Sequence, residues 1–414
     1  DNDQSIAKNP KGGIYTALES LRETKGQMTN NIFKALGYDY HYLEDGNNLE
    51  ELILLLKEVK DIDHPVVLHI YTEKGKGFEP AERNHEKFHA GGPFSLETGE
   101  YIKKGAVTST YNGITSEYLT KKLKEDPLAV VINAGTPGIV FNRKLREELG
   151  SQFVDVGIAE EQAVTMTTGL AKNGAKPVWA VLSTFLQRTY DQLSHDMALN
   201  NQAGVVLVYS ASINSMNDES HLGFFDIPLI SHIPNFVYLA PTNKEEHLVM
   251  LEWAISQNEH PVAIRVPVGS VIETGKEDKT DYSILNKNKV EKFGEQVAIF
   301  GVGNFYNLAE EVSEKLKSEH NIDATLINPR FLTGLDKELL NSLEENHKLV
   351  VTIEDGIVEG GYGQTVASFL GNTDLKVQNY GINKKFYDRY KVEELMEENG
   401  LTVDNIVKNI IESL

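Results

Sequence analysis

Two neighbouring carboxylates open the segment Asp155-Val156-Gly157-Ile158-Ala159-Glu160-Glu161-Gln162-Ala163-Val164, where a strand reading from Phe153 to Val156 passes into a helical pattern. Acidic residues in the first turn of a helix offset its dipole. A carboxylate at the carboxyl end of a strand also stands where open α/β sheets place their ligands. Glu160 is therefore either a helix-dipole partner or an acid–base group. A second block after a strand, Ser183 to Asp196, gathers Phe185, Arg188 and the pair His195-Asp196 at a predicted helix start. Histidines stand in two loops, His221-Leu222-Gly223-Phe224-Phe225-Asp226 and Phe88-His89-Ala90-Gly91-Gly92. An imidazole can move protons near neutral pH or simply sit solvated at the surface. Lys74-Gly75-Lys76-Gly77-Phe78 can bring glycine backbone close to a phosphate. Arg265 is either an anion clamp or a surface salt-bridge partner. There is no Cys/His zinc spacing, Walker loop, nucleophile elbow or dinucleotide glycine motif.

These residues are positioned by strand–helix alternation. The chain has 414 residues, 61 acidic against 40 basic side chains, a net charge of −21 and no cysteine. That balance argues against a nucleic-acid or anionic-membrane surface. The absence of cysteine excludes disulfides, iron–sulfur ligation and a thiol nucleophile. No apolar run approaches the roughly 18 residues of a membrane span, and no secretory signal is evident, so a cytoplasmic location is expected.

The first cycle is a helix over Leu49–Val59 and a strand over Pro65–Tyr71. A Gly91-Gly92-Pro93 turn and a linker over Glu97–Lys104 follow. The second cycle starts near Thr108, with strands at 129–132, 177–181 and 204–209 and a helix over Glu160–Asn173. A polar linker over Glu273–Asn288 leads to the third, with strands at 296–300, 324–327 and 348–353 and a helix from Leu308. Short apolar runs that follow helices read as buried parallel strands. The expected fold is three consecutive α/β domains with mainly parallel sheets, over 1–105, 106–275 and 289–414. The opening Asp1-Asn2-Asp3-Gln4, with no Met, reads as a processed or incomplete chain.

Taken in order, these blocks resemble the transketolase superfamily of thiamine-diphosphate enzymes, nearest to its 1-deoxy-D-xylulose-5-phosphate synthase family. The positions that carry the resemblance are Asp1-Asn2 with Ser5-Ile6-Ala7, Lys74 to Glu82, Phe88-His89-Ala90, Asp155 to Val164, Ser183 to Asp196, His221 to Asp226 and Arg265. Pro329-Arg330-Phe331 and Glu354-Asp355-Gly356 extend it through the third domain. The resemblance implies a thiamine-diphosphate-binding, transketolase-like fold with a transketolase C-terminal-like domain. It also implies a homodimer, Mg²⁺, and a place in isoprenoid and thiamine biosynthesis. The implied reaction condenses pyruvate with an aldehyde, glyceraldehyde 3-phosphate in the family, with loss of CO₂. Transfer of a two-carbon ketol unit between sugars, or a non-catalytic paralogue or subunit of the same fold, are the alternatives.

By the same resemblance, Asn2 and the backbone carbonyl at Gln4 are metal ligands, and a Gly-Asp-Gly turn that completes the site would lie upstream of Asp1, lost or supplied by another chain. Glu160 matches the glutamate that holds the aminopyrimidine ring and favours the imino tautomer that generates the ylid. Phe185 matches the residue that stacks on that ring, and Phe78 stands where a Tyr is usual. His89 and His221 match active-site histidines. Arg265, Arg188, Asn217 and Ser210 fall at substrate-facing positions. Several of these depart from the family. Leu182 replaces a Tyr, Ser210 an Arg, Asn217 an acid and Val268 an Arg, while the Gly13–Gly37 segment is short. Each lost charge-assisted phosphate contact costs about 1.5–3 kcal/mol, or roughly ten- to a hundred-fold in binding. Glyceraldehyde 3-phosphate is therefore a doubtful acceptor by this reading.

Overall fold

The computed structural model describes residues 1–6, 12–102, 109–214 and 217–414. Ala7, Thr108 and the 105/106 domain boundary fall outside them. The chain divides into two compact units. One takes in Asp1–Val107 with Gly135–Pro137 and Asp155–Ile158, and the other the rest.

In the first unit, β1 (Asp39–Leu43) pairs in parallel with β2 (Val66–Ile70), Asp39 opposite Val66 and Leu43 opposite Ile70. The intervening helix Leu49–Val59 is capped by Asn48, whose side chain accepts from the amides of Glu50 and Glu51. This helix matches its predicted limits, but it leaves Leu49, Ile53, Leu54 and Leu56 exposed. Arg22 ties the helix Gly13–Glu23 to the chain start through Asp1 at 2.8 Å and Asp3 at 2.7 Å. The linker predicted over Glu97–Lys104 is, as far as Tyr101, an ordered loop. Phe94 bridges to Tyr101, and the rings of Phe78, Phe88 and Phe94 pack edge-on or tilted with centroids 5.1–5.5 Å apart. The aromatic content of an otherwise polar stretch is what orders it.

The second unit contains two sheets. The larger has the order β4-β3-β5-β6-β8-β7. Its strands are β3 (Ala129–Asn133), β4 (Phe153–Asp155), β5 (Lys176–Leu182), β6 (Val205–Tyr209), β7 (Val237–Leu239) and β8 (Val262–Arg265). β6 and β8 are buried at every position. Apolar runs without polar alternation suit a parallel sheet covered on both faces. The smaller sheet has the order β13-β12-β10-β11-β9. Its members are β9 (Lys289–Lys292), β10 (Gln296–Val302), β11 (Thr325–Asn328), β12 (His347–Ile357) and β13 (Lys376–Ile382). All pair in parallel except the edge strand β9 against β11. β12 runs beyond the predicted 348–353, through Glu354-Asp355-Gly356. The block from Ser183 is not a plain helix start: a 3₁₀ segment Ser183–Thr189 leads through one short turn into a π-helical turn Leu193–Ala198.

The two sheets share one unit because buried polar groups join them. Leu239 at the end of β7 bridges to Phe331, and the amides of Ala240 and Leu332 donate to Arg330 O and Tyr238 O at 2.8 Å each. Glu246, buried on the helix Lys244–Ser256, accepts from Thr242 N (3.1 Å), Thr242 Oγ1 (2.9 Å), Asn328 Nδ2 (2.9 Å) and Arg330 Nε (3.3 Å). Tyr282, in the predicted linker Glu273–Asn288, packs into the core of the larger sheet and donates to Asp278 at 2.8 Å. That segment is polar in composition yet fixed in place.

Removing one member of a buried ion pair strands the other charge, whereas replacing both with apolar groups is often mild. Glu246→Ala is therefore expected to cost about 3–5 kcal/mol in chemical unfolding, and Glu246→Leu with Arg330→Met clearly less. A loss under about 1 kcal/mol for Glu246→Ala would show that the pair does not hold the sheets together.

Candidate active site

Parallel strands deliver their following loops to one edge of a sheet, where open α/β folds bind ligands. Glu160 stands at such a place. It is the first residue of the helix Glu160–Lys172, closely following β4, and is 2% exposed. Among the described residues its partner is Arg188, with Nη1 2.9 Å from Oε2 but without hydrogen-bond alignment, so that this buried oxygen has no aligned donor there. Arg188 also reaches Glu161 Oε1 at 3.2 Å, and its side chain is 45% exposed. A buried carboxylate whose one cation is half solvated suits a ligand that donates a hydrogen bond.

Phe185 lies in the 3₁₀ segment after β5, and its ring meets the His221 imidazole edge-on at 5.6 Å. Ser220 Oγ donates its proton to Asp218 and stands 2.7 Å from His221 Nδ1. A hydroxyl has one proton, so Nδ1 carries its own and donates to Ser220, leaving the Nε2 lone pair as the basic position. Asp218 is held below the usual carboxylate range, chiefly by the bonds from Ser220.

Arg265 ends β8 inside the protein. Nε and Nη2 donate to Asp226 at 2.9 and 3.3 Å, and Nη2 donates to Asp355 O at 2.8 Å. Tyr238 OH donates to the same Asp226 carboxylate. Arg265 thus belongs to a buried ion pair: it is a salt-bridge partner, but not the surface one that the sequence suggested, because Asp226 and the Asp355 carbonyl receive its Nε and Nη2 inside the protein. Ser210 closes β6 with a left-handed φ of 56°. Asn217 Nδ2 donates to Tyr390 O at 2.8 Å, and its carbonyl accepts from Arg389 N at 2.6 Å.

In the first unit, Asn2 Oδ1 accepts from Gln4 N at 3.2 Å, and Gln4 Nε2 bonds to His85 Nδ1. Lys74 Nζ donates to Ser5 O at 2.9 Å and Ile6 O at 3.3 Å and lies 3.0 Å from His89 Nδ1. Burial and then the Lys74 charge hold His89 below the ordinary histidine value. Phe78 sits in the ring cluster described above. Gly77 N donates to Glu82 Oε1 at 2.8 Å, so this glycine loop is engaged by its own chain. The structure thus brings together Glu160 with Arg188, and Phe185 with His221, in the second unit, and Lys74 with His89 in the first. Sequence reasoning did not find Ser220, Asp218, Tyr238 or Tyr390; Asp226 and Asp355 were legible only as members of their blocks.

Residues 1–72 match the family profile described as 1-deoxy-D-xylulose-5-phosphate synthase. Residues 108–272 match the transketolase pyrimidine binding domain, and 286–406 the transketolase C-terminal domain. A 1-deoxy-D-xylulose-5-phosphate synthase of Clostridium perfringens is 38% identical over 412 residues, covering 99% of this chain and 66% of the relative. The chain belongs to the 1-deoxy-D-xylulose-5-phosphate synthase family. The synthase of Clostridium tetani is 35% identical over 96% of the chain and 64% of its own length. The chain therefore spans just under two thirds of such family members. A split gene transketolase, solved as an inactive beta4 tetramer, superposes with a TM-score of 0.63 at 23% identity, over 74% of this chain and 98% of that one. A transketolase from Leishmania mexicana gives a TM-score of 0.59 at 14% identity, over 75% of this chain and 46% of its own. These structures share the fold. The family depends on thiamine diphosphate, typically with a divalent metal.

In this family member, Glu354 at the carboxyl end of β12 is fully buried and accepts from the amides of Tyr362 (2.9 Å) and Gly363 (3.0 Å) at a helix start. Burial pushes its carboxyl up to about 7, against the pull of these amides and of Arg265. Its ordinary value is 4.5, so the folded chain holds this proton more tightly than the unfolded chain. The contribution to stability is full below pH 4.5 and is lost as pH rises towards about 7. The stability difference between wild type and Glu354→Gln should accordingly shrink by on the order of 3 kcal/mol across that window. Urea unfolding at a series of pH values measures it; a difference that stays constant or widens with rising pH contradicts the assignment.

Proposed function

We propose that the chain catalyses, with thiamine diphosphate and Mg²⁺, the condensation of pyruvate with an aldehyde and the loss of CO₂. The product is 1-deoxy-D-xylulose 5-phosphate or a related 1-deoxyketose, a supply reaction for isoprenoid and thiamine biosynthesis. The observation that carries this reading is Glu160, a buried carboxylate with an oxygen lacking an aligned donor. When bound, the cofactor supplies the carbanion chemistry that pyruvate decarboxylation needs. Glu160 would hold its aminopyrimidine through a charge-assisted bond, a proton being shared between its carboxylate oxygen and the ring. Phe185 and Phe78 would pack on the cofactor, and Asn2 with the Gln4 carbonyl would serve Mg²⁺. His221, with Nδ1–H fixed by Ser220, would give or take a proton at Nε2, and His89 would serve a second transfer. Arg188, the half-exposed cation, would face substrate together with Ser210 and Asn217. Arg265 would act on that pocket through Asp226. The enzyme is proposed to work as a homodimer in the cytoplasm.

A second reading, a subunit that works with another polypeptide, is favoured by the exposed apolar stripe Leu49, Ile53 and Leu56. The split gene transketolase offers a precedent for such an arrangement.

CO₂ release from pyruvate by the full-length gene product, with Mg²⁺ and thiamine diphosphate, tests the first reading. Glu160→Gln should lower it by at least about 10³-fold while leaving the melting temperature close to wild type. Near-normal turnover of that variant would reject the role of Glu160. Unphosphorylated glyceraldehyde should stimulate release at least as well as glyceraldehyde 3-phosphate; a strong preference for the phosphorylated aldehyde would mean a rebuilt phosphate site. Release only after adding a second polypeptide would establish the subunit reading.

A further inference from the structure

The segment that carries His221 is held at several footholds by the smaller sheet and its connecting loops, although it emerges from the larger one. Where it leaves β6, Asp355 Oδ1 accepts from Ile213 N at 3.0 Å, and Tyr390 OH donates to Ile213 O at 2.8 Å. Asp355 Oδ2 is itself fixed by Asn304 Nδ2 at 3.1 Å. In the middle, Asn217 makes its two bonds to Tyr390 O and Arg389 N. At the far end, Ile357 N donates to Phe224 O at 3.1 Å, and Arg265 bridges the Asp226 carboxylate to Asp355 O. Ile213, Leu222 and Phe224 are buried in the core of the smaller sheet rather than that of the larger one from which they emerge. By contrast, two side-chain bonds come from the larger sheet's own 3₁₀ segment, Ser183 Oγ to Gly223 O at 3.2 Å and Thr184 Oγ1 to Ser220 O at 3.1 Å.

Building on the role given to His221 above, we infer that Asp355 and Tyr390 are positioning residues that set the His221 imidazole through Ile213, Asn217 and Asp226. The C-terminal sheet then serves the reaction through the segment that carries His221. Asp355 grips both feet of the segment at once, by its carboxylate at Ile213 and by its carbonyl through Arg265 at Asp226. A histidine with a partly exposed ring keeps its orientation only if its backbone is fixed, and the polar and ring partners of the His221 side chain among the described residues are Ser220, Asp218 and the edge of Phe185. Asp355 can fix it because its side chain accepts three bonds, from Ile213 N, Asn304 and Ser212. All three partners are lost together when the carboxylate is removed.

The test compares wild type, Tyr390→Phe, Asp355→Asn and Asp355→Ala by hydrogen exchange on the cofactor-free protein and by steady-state kinetics on the loaded one. Peptides covering 217–226 should exchange about tenfold faster in Tyr390→Phe and Asp355→Ala, with peptides from β5 and β10 unchanged. kcat for pyruvate-dependent condensation should fall by about tenfold or more in both, with the KM for pyruvate within about twofold of wild type. Asp355→Asn retains an acceptor oxygen for Ile213 N and should recover most of the loss. Should Asp355→Ala not fold, Tyr390→Phe decides the matter, since it removes a single hydroxyl. Unchanged exchange over 217–226, or a rise spread evenly over the whole unit, would overturn the inference. So would a KM effect without a kcat effect. Absence of turnover in wild type would instead defeat the functional reading, and the exchange measurement would still decide whether Asp355 and Tyr390 hold the segment.

Discussion

The second unit depends on the Arg265–Asp226 pair. Its side chains are 4% and 0% exposed, and two opposite charges at that depth tolerate no loose geometry. Desolvation is offset only when the carboxylate and the guanidinium find further partners. Asp226 finds Tyr238 besides Arg265, and Arg265 finds the Asp355 carbonyl. Meeting those demands fixes the end of β8, residue Tyr238 in β7, the start of the helix Asp226–Ser231 and the carboxyl end of β12 at one point. Asp226 is also the first residue of its helix, where the dipole favours a negative charge.

That point lies near the carboxyl ends of parallel strands, and the topology explains why chemistry collects there. Leu182, Ser210 and Arg265 end or follow β5, β6 and β8, three strands adjacent in the sheet. Their following segments emerge side by side, bringing Phe185 against His221 although they lie 36 positions apart in the sequence; the sheet order β5-β6 makes them neighbours. Ser210 takes a left-handed backbone conformation as the chain leaves β6, an arrangement that costs energy for a non-glycine residue and is tolerated where surrounding bonds determine it. Here the Ser212 amide donates to Ser210 O at 3.1 Å, and Asp355 secures the next residue.

Much of this was legible beforehand, for a physical reason. Buried parallel strands must be continuous apolar runs, so 129–132, 177–181 and 204–209 announced themselves, and the helix at Glu160 was marked by its paired acids. What stayed hidden obeys long-range pairing instead of period. The 3₁₀ and π-helical course of Ser183–Ala198 has no distinctive spacing. The two polar stretches read as linkers are ordered by a few aromatic anchors, Phe94 and Tyr101 in one and Tyr282 in the other, which composition averages away. Arg265 was open between clamp and salt bridge, since its partner Asp226 lies 39 residues earlier, and no spacing rule joins a strand end to a helix start across that distance.

The same pair bears on the acceptor. Positions 182, 210 and 268 carry Leu, Ser and Val, so neither a phenol nor a guanidinium is available from them, and the guanidinium at 265 is largely engaged inside the protein. Arg188, the cation that the site offers to solvent, is already shared between Glu160 and Glu161. A phosphate dianion entering here would have to compete with two carboxylates for that one arginine, in a chain of net charge −21. Charge-assisted bonds are the strong component of phosphate recognition, and a site that has redirected its arginines to hold its own loops has little left for a charged substrate. Under the proposed condensation a neutral aldehyde meets no such competition, so the proposed preference for it and the internal anchoring of Arg265 follow from one distribution of charge.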